Sequence, residues 1–262
     1  MKNVKISVIS PSFNQGKFIE DSILSVLNQN YDNFEHIIID AGSTDETITI
    51  LKKYPHIIWV SEKDNGQCDA FNKGISMSSG NIIAWLNVDD YFLPNAFSKF
   101  SENYLKTQAD YYYADYLWVD TNKTKLKTIK PYKRYSYFLN LLYGCYIPTS
   151  GSLIRKEFFE KVGLLDTTFR YKMDTEIFER SRNIKFTKID STLSAFRYHG
   201  NNVSFRDKKK GSEITKQDME SIAIKDRYFK LGNVPLKIRA YIYKLIWYPA
   251  RVTYLLLKYS KI

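Results

Sequence analysis

Two adjacent carboxylates, Asp89 and Asp90, follow the apolar run Asn81–Asn87. Like charges at this spacing repel unless a cation lies between or beside them. Oxygen ligands with open positions suit Mg²⁺ or Mn²⁺ shared with substrate phosphates. The competing reading is a pair of capping aspartates ahead of a helix over Tyr91–Lys99. Asp40 closes a second apolar run, Phe34–Asp40, ahead of Ala41-Gly42-Ser43-Thr44-Asp45. An acid there can accept hydrogen bonds from a nucleobase or ribose, or it can cap the helix that follows. Neither a Gly-x-Gly-x-x-Gly loop nor a P-loop with its Lys-Ser/Thr occurs, which argues against a Rossmann dehydrogenase and against an NTPase.

These groups are positioned by a repeating pattern of elements. Periodicity predicts strands over Lys5–Ser10, Phe34–Asp40, His56–Ser61 and Asn81–Asn87. Between them, Ile19, Ile23, Val26 and Leu27 share one helical face, and a helix is expected over Gln67–Met77. Ser43 or Thr44 is the expected cap of the helix between, and Pro94 is expected in the first turn of the helix after Asp90. Strand–loop–helix repetition to about residue 105 means a parallel sheet with helices on its faces, with ligands beyond the carboxyl ends of its strands. Ser12, Asn14, Asp40, Ser43, Asp89 and Asp90 all fall there. From Ala109 the texture becomes aromatic and alternating, which predicts appended antiparallel strands, including a hairpin into Lys125–Lys130. Further on, Ser152–Arg155 reads as a strand, Lys156–Val162 and Asp174–Asn183 as helices, and Phe186–Asp190 and Leu193–His199 as separate short strands. Gly200–Gly211 is polar and expected to be mobile, and a helix is expected over about 212–231.

Composition narrows the classes. The chain has 262 residues, 44% of them apolar and 16% aromatic, enough to bury a core and too much for a disordered chain. Two cysteines exclude a disulfide scaffold and fit reduced thiols. There is no run of ~18 uncharged apolar residues, so no membrane span is expected. The N-terminus lacks a signal layout, so the sequons at Asn122 and Asn202 are read as chance. The net charge of +11 is uneven: residues 1–100 hold 8 Lys and no Arg against 12 acids, and the remainder holds 31 basic and 16 acidic side chains.

The segments ISVISPSFNQGKFIEDSILSVLNQNY, FEHIIIDAGSTDET, SEKDNGQCDAFNKGI and GNIIAWLNVDD, in this order, closely resemble the family 2 glycosyltransferases. The resemblance is strong over residues 4–100 and looser over 151–166, 171–180 and 196–204. It implies a GT-A fold and a nucleotide-sugar donor, most often a UDP-sugar. By that resemblance Pro11, Ser12 and Phe13 line the nucleoside, Asp40 bonds the base, Asp69 helps hold the donor, and Asp89 reaches the ribose or the metal. Asp90 ligates the Mg²⁺ or Mn²⁺ that bridges the diphosphate. Asp174 matches the general base that inverts the anomeric carbon, with Glu176 as base, or a mere helix cap, as the alternatives. His199 contacts the diphosphate, completes the metal shell, or is only structural. The chain departs from the family's aspartate-x-aspartate signature with Asn87, which leaves the metal site leaner. It also lacks the Gln-x-x-Arg-Trp motif of processive synthases, so addition of one sugar is expected.

No acid follows Asp226, while Lys237, Arg239, Lys244, Arg251, Lys258 and Lys261 alternate with Ile, Leu, Tyr and Trp247, broken at Pro249. Such a segment suits an anionic bilayer surface, or it packs on the catalytic domain with its cations solvated. The expectation is therefore an α/β protein. Residues 1–210 form a mostly parallel GT-A domain (1–105 for the nucleotide-sugar, 106–210 for the acceptor), followed by a basic helical segment over 211–262. Its expected role is metal-dependent transfer of one sugar to a glycan or lipid-linked acceptor in bacterial surface polysaccharide assembly. Its expected place is the cytoplasmic face of the plasma membrane. Competing classes are a catalytically silent nucleotide-sugar binder and a basic nucleic-acid-binding protein. The latter lacks any zinc, RNP or helix-turn-helix pattern, and no nucleic-acid partner is expected.

Overall fold

Apolar runs in the first hundred residues form the parallel half of one sheet. The structure, a computed structural model, describes residues 4–202, 214–230 and 233–259. Beyond residue 202, the segment expected to be mobile lies outside the described residues. β1 (Ile6–Ser12), β2 (Phe34–Asp40), β3 (Ile57–Ser61) and β4 (Ile82–Trp85) pair in parallel in the order β3-β2-β1-β4. Their register sets Ser12 opposite Asp40 and Asp40 opposite Ser61. Three polar side chains are thereby aligned at the carboxyl edge. α1 (Gly16–Leu27), α2 (Thr47–Leu51) and α3 (Gln67–Met77) connect these strands.

Two local expectations are corrected here. Tyr91–Phe92 form a short strand, β5, and α4 (Ala96–Thr107) starts only after Asn95, with Pro94 ahead of it. Asp89 and Asp90 therefore cap no helix. Neither Ser43 nor Thr44 caps α2, whose N-cap is Glu46. Both bond the loop at Asn14 instead.

The second half extends the sheet. β6 (Tyr111–Val119), β7 (Lys125–Ile129), β8 (Ser152–Arg155) and β9 (Phe186–Arg197) complete the order β3-β2-β1-β4-β8-β6-β9-β5, with β7 on β6. β8 runs antiparallel to β4 and β6, and β7 antiparallel to β6. The long β6–β9 pair is parallel, unlike the expected antiparallel appendage. The two short strands expected in β9 are one, which absorbs its break as register shifts around Asp115. Gly151, at φ +85, precedes β8; a Cβ there would meet the Ser194 side chain at 2.2 Å. Glycine is thus required where β8 passes β9.

Helices α5 (Tyr137–Tyr143), α6 (Lys156–Val162), α7 (Met173–Arg180), α8 (Lys216–Phe229) and α9 (Leu236–Tyr259) follow. A Thr215/Asp218 capping box starts α8. α9 continues through Pro249, the expected break point, where the proline is exposed. Tyr243 on α9 is buried, and its hydroxyl donates to Asp226 of α8 at 2.7 Å.

His36 is fully buried in β2, shares a 3.0 Å hydrogen bond with Ser10, and leaves Nδ1 unpartnered. Burial, with a smaller contribution from His56, depresses its pKa from 6.5 to about 3. The ring is neutral in the fold. As pH falls below the unfolded value, the unfolded chain takes up a proton that the folded chain refuses. Stability is therefore complete above pH ~6.5 and declines by ~1.4 kcal/mol per pH unit toward the folded value. Urea melts should show the wild type losing about 2 kcal/mol between pH 7 and pH 5 through this group, and His36→Leu should lose that slope. Parallel slopes for the two proteins would contradict the assignment.

Candidate active site

The loops after β1 and β2 are knitted together. Asn14, in the left-handed region at φ 50, donates its N–H to Ser43 Oγ (2.7 Å) and accepts from the Thr44 N–H at Oδ1 (2.8 Å). The Gly16 N–H donates to Asp45 Oδ2 at 2.9 Å. Phe13 projects from this loop with 58% of its surface exposed, after Pro11 and Ser12 at the end of β1. The Ser12 hydroxyl is buried without a partner.

Asp40 is wholly buried. Its carboxylate accepts from the N–H groups of Gly42 (3.1 Å) and Ser43 (2.8 Å) and from the hydroxyls of Ser61 (2.7 Å) and Ser43. Three of these bonds fall on Oδ2 and one on Oδ1, so one lone pair of Oδ1 is left over. Asp40 thus fixes the loop that walls the pocket, with Oδ1 the less committed of its two oxygens. Asp69 accepts from the Asn65 N–H (3.0 Å) and lines a cleft of about 270 Å³ with Asp64, Lys63, Ile39 and Leu164. Burial and the charges of Asp69 and Asp40 raise the Asp64 pKa, so the three acids converge. Sequence reasoning passed over Asp64; its signal was the Asp-Asn-Gly turn ahead of α3.

Asp89 and Asp90 diverge. Asp89 Oδ2 lies 3.0 Å from His199 Nε2 across 110 residues of sequence. The His199 ring packs on Phe18 at 4.9 Å, and its N–H donates to Asn202 Oδ1 at 3.0 Å. Asn202 is buried, and its Nδ2 donates to the Arg197 carbonyl at 2.8 Å. The same Nδ2 lies 3.4 Å from Asp89 Oδ2, so Asn202 braces both members of the pair. Asp90 is 1% exposed, with Oδ1 accepting the Arg197 N–H at 3.0 Å and Oδ2 buried without a partner. Burial, then the neighbouring Asp89, hold its pKa well above the usual carboxylate range. Asp90 Oδ2 is thus the oxygen of the pair that no protein group occupies, while Asp89 is engaged by His199. Asn87 accepts from Gln67 Nε2 (2.7 Å) and Trp85 Nε1 (3.1 Å), tying the end of β4 to the start of α3.

Among the described residues, no group of three or more His, Cys, Asp and Glu side chains is placed to hold a metal ion. Two ligands are nonetheless adequate for a cation that keeps substrate phosphate oxygens in its shell. Asp89 and His199, hydrogen-bonded to each other at 3.0 Å, bring a carboxylate oxygen and a ring nitrogen together. Donors of these two kinds suit such an ion.

Asp174 is half-buried in the first turn of α7 and accepts the Thr175 N–H at 2.6 Å. The Cys145 thiol lies beside it; burial, then the Asp174 charge, keep that thiol protonated. Glu176 is 1% exposed and clasped by Arg180 (2.8 Å) and Arg227 (2.7 Å). Of the two acids, Asp174 has a carboxylate not already committed to arginines. The entry to α7 is held from another helix. Glu220 of α8 accepts the N–H groups of Arg170 (2.9 Å), Tyr171 (2.8 Å) and Lys172 (2.8 Å), just ahead of Asp174. Each such charge-assisted bond contributes roughly 1.5–3 kcal/mol. Glu220→Ala should therefore lower turnover by ~10- to 100-fold through a misplaced Asp174. Nucleotide-induced stabilisation should stay within a degree of wild type, and Glu220→Gln should fall between. Equal turnover in all three proteins would show that α8 does not position this loop.

Residues 7–163 match the description glycosyl transferase family 2. The chain belongs to that family. Among its family 2 relatives, an uncharacterised glycosyltransferase of Rickettsia prowazekii is 31% identical over 199 residues, 71% of this chain and 59% of that protein. The chain thus spans about three-fifths of the length of that relative. TuaG of Bacillus subtilis, assigned to teichuronic acid biosynthesis, is 32% identical over 46% of this chain and 50% of its own length. In three dimensions the chain is similar to residues 1–349 of S. aureus TarS in complex with UDP-GlcNAc. The TM-score is 0.63 at 14% identity, over 97% of this chain and 81% of that one. The fold is GT-A, as the family resemblance implied.

Proposed function

We propose that this family 2 chain moves one sugar from a nucleotide-sugar, a UDP-sugar, onto a hydroxyl of a glycan or lipid-linked acceptor, inverting the anomeric carbon. The observation that supports this reading is the hydrogen-bonded Asp89–His199 pair beyond the strand ends, where the diphosphate of a bound donor is expected. Asp89 and His199 would hold the divalent cation. That cation, when bound, neutralises charge developing on the nucleoside diphosphate. Phe13, Pro11 and Ser12 border the nucleoside, with the Asp40 loop as the wall behind it and Asp64 and Asp69 alongside. Asp174 takes the proton of the acceptor hydroxyl as its oxygen bonds the anomeric carbon. The diphosphate departs from the opposite face with the electrons of the broken C–O bond.

TarS supports the choice of UDP and TuaG the role in surface polysaccharide, since the first is complexed with UDP-GlcNAc and the second is assigned to teichuronic acid. Among the described residues no helix is long and apolar enough to cross a membrane. The acceptor is met at the inner surface of an anionic bilayer. Thermal melts with UDP, GDP and dTDP, each with and without Mn²⁺, test the donor site. UDP should stabilise only with the metal, and no shift with any nucleotide would overturn the reading.

A further inference from the structure

α9 has two unlike faces. Tyr243, with Arg239 paired to Asp226, turns toward α8. On the other side Ile238 (51% exposed), Tyr241 (64%), Leu245 (58%) and Val252 (40%) stand in water. At 100° per residue these four fall within about 60° of arc, roughly opposite Tyr243, with Lys237 and Lys244 about 60° to one side. Both lysines are exposed. Apolar stripes of this kind mark interaction sites.

We infer that this stripe and its two lysines form a docking face for an anionic lipid bilayer, with α9 lying in the headgroup plane. The argument is charge. The sequence has no acid after Asp226, and Arg251 and Lys258 continue the seven-residue spacing of Lys237 and Lys244. A second copy meeting this face would set lysines near lysines, which disfavours a dimer. A surface of anionic headgroups attracts them, and Ile238, Leu245 and Val252 reach the acyl boundary beneath, with Tyr241 at the interface. The inference deepens the reading of a lipid-linked acceptor and rests on it for its purpose. Vesicle binding needs neither donor nor acceptor, so its failure would leave the transferase reading standing.

The test is flotation of the full chain with phosphatidylcholine vesicles, with and without 30% phosphatidylglycerol. Binding should require the anionic lipid and weaken with salt. Lys237→Ala/Lys244→Ala should lower the partition coefficient about 25-fold, some fivefold per lysine. Ile238→Ser/Leu245→Ser should lower it at least tenfold. All four positions are exposed, so the variants should melt as wild type and keep the UDP–Mn²⁺ shift. Equal binding to neutral and anionic vesicles, or unchanged binding by both variants, would overturn the inference. So would a concentration-dependent dimer abolished by Ile238→Ser/Leu245→Ser with no vesicle binding, which would make the stripe a self-interface.

Discussion

Asp174→Asn is expected to lower kcat by ~10²- to 10⁴-fold, the usual contribution of a positioned general base, while UDP with Mn²⁺ still raises the melting temperature as in wild type. The isosteric amide keeps an acceptor for the Thr175 N–H but cannot take a proton from the acceptor hydroxyl. Glu176→Gln makes the comparison sharp. Glu176 is enclosed by Arg180 and Arg227, and losing one charge of that cluster should destabilise by roughly 3–5 kcal/mol. The folded fraction should turn over at close to the wild-type rate. Single-turnover kinetics with the donor in excess separate chemistry from binding. The base assignment falls if Asp174→Asn turns over normally, or if Glu176→Gln folds with kcat reduced a thousandfold.

For Asp89→Asn, nucleotide binding itself should change. A ligand present at ~100 times its Kd stabilises by about 2.7 kcal/mol, which for a protein of this size raises Tm by roughly 5–10 °C. That shift should appear in the wild type with UDP and Mn²⁺ and disappear in Asp89→Asn, with kcat/KM lower by ~10³-fold as charge on the leaving diphosphate goes uncompensated. His199→Ala should behave likewise. Asp90→Asn should instead keep the metal-dependent shift, because the buried Oδ1 only accepts the Arg197 N–H and an amide oxygen can do the same. Reversed results, with Asp90→Asn blind to Mn²⁺ and Asp89→Asn responsive, would return the metal to Asp90 and refute the Asp89–His199 seat.

Much of the framework is legible without coordinates. Buried strands carry short apolar runs bounded by polar residues, and Phe34–Asp40 and Ser152–Arg155 can be delimited to the residue from Ile37–Ile39 and Leu153–Ile154 at their centres. α3 is equally plain between the glycine turn at Gly66 and its end at Met77. The polar residues that interrupt such runs mark the carboxyl edge, which is where Ser12, Asp40 and Asp89 lie. Short-range signals misled where a long-range partner intervened. Tyr91–Phe92 has a helix-like context but pairs with β9, and Pro249 does not stop α9.

The sequence by itself determined the parallel half-sheet and the acids at the strand ends, because local periodicity and turn chemistry encode both; the family came from the resemblance of its segments over residues 4–100. Only the tertiary structure decided which partners each acid meets. Asp89 and Asp90 are neighbours in the chain, yet one meets His199 and the other is sealed beneath Arg197. Asp174 and Glu176 share a turn of helix, yet arginines on α7 and α8 claim only the second. Glu220 reaches the loop before Asp174 from 48 to 50 residues away. Backbone register and helix packing choose such partners, and these depend on the whole chain closing its core.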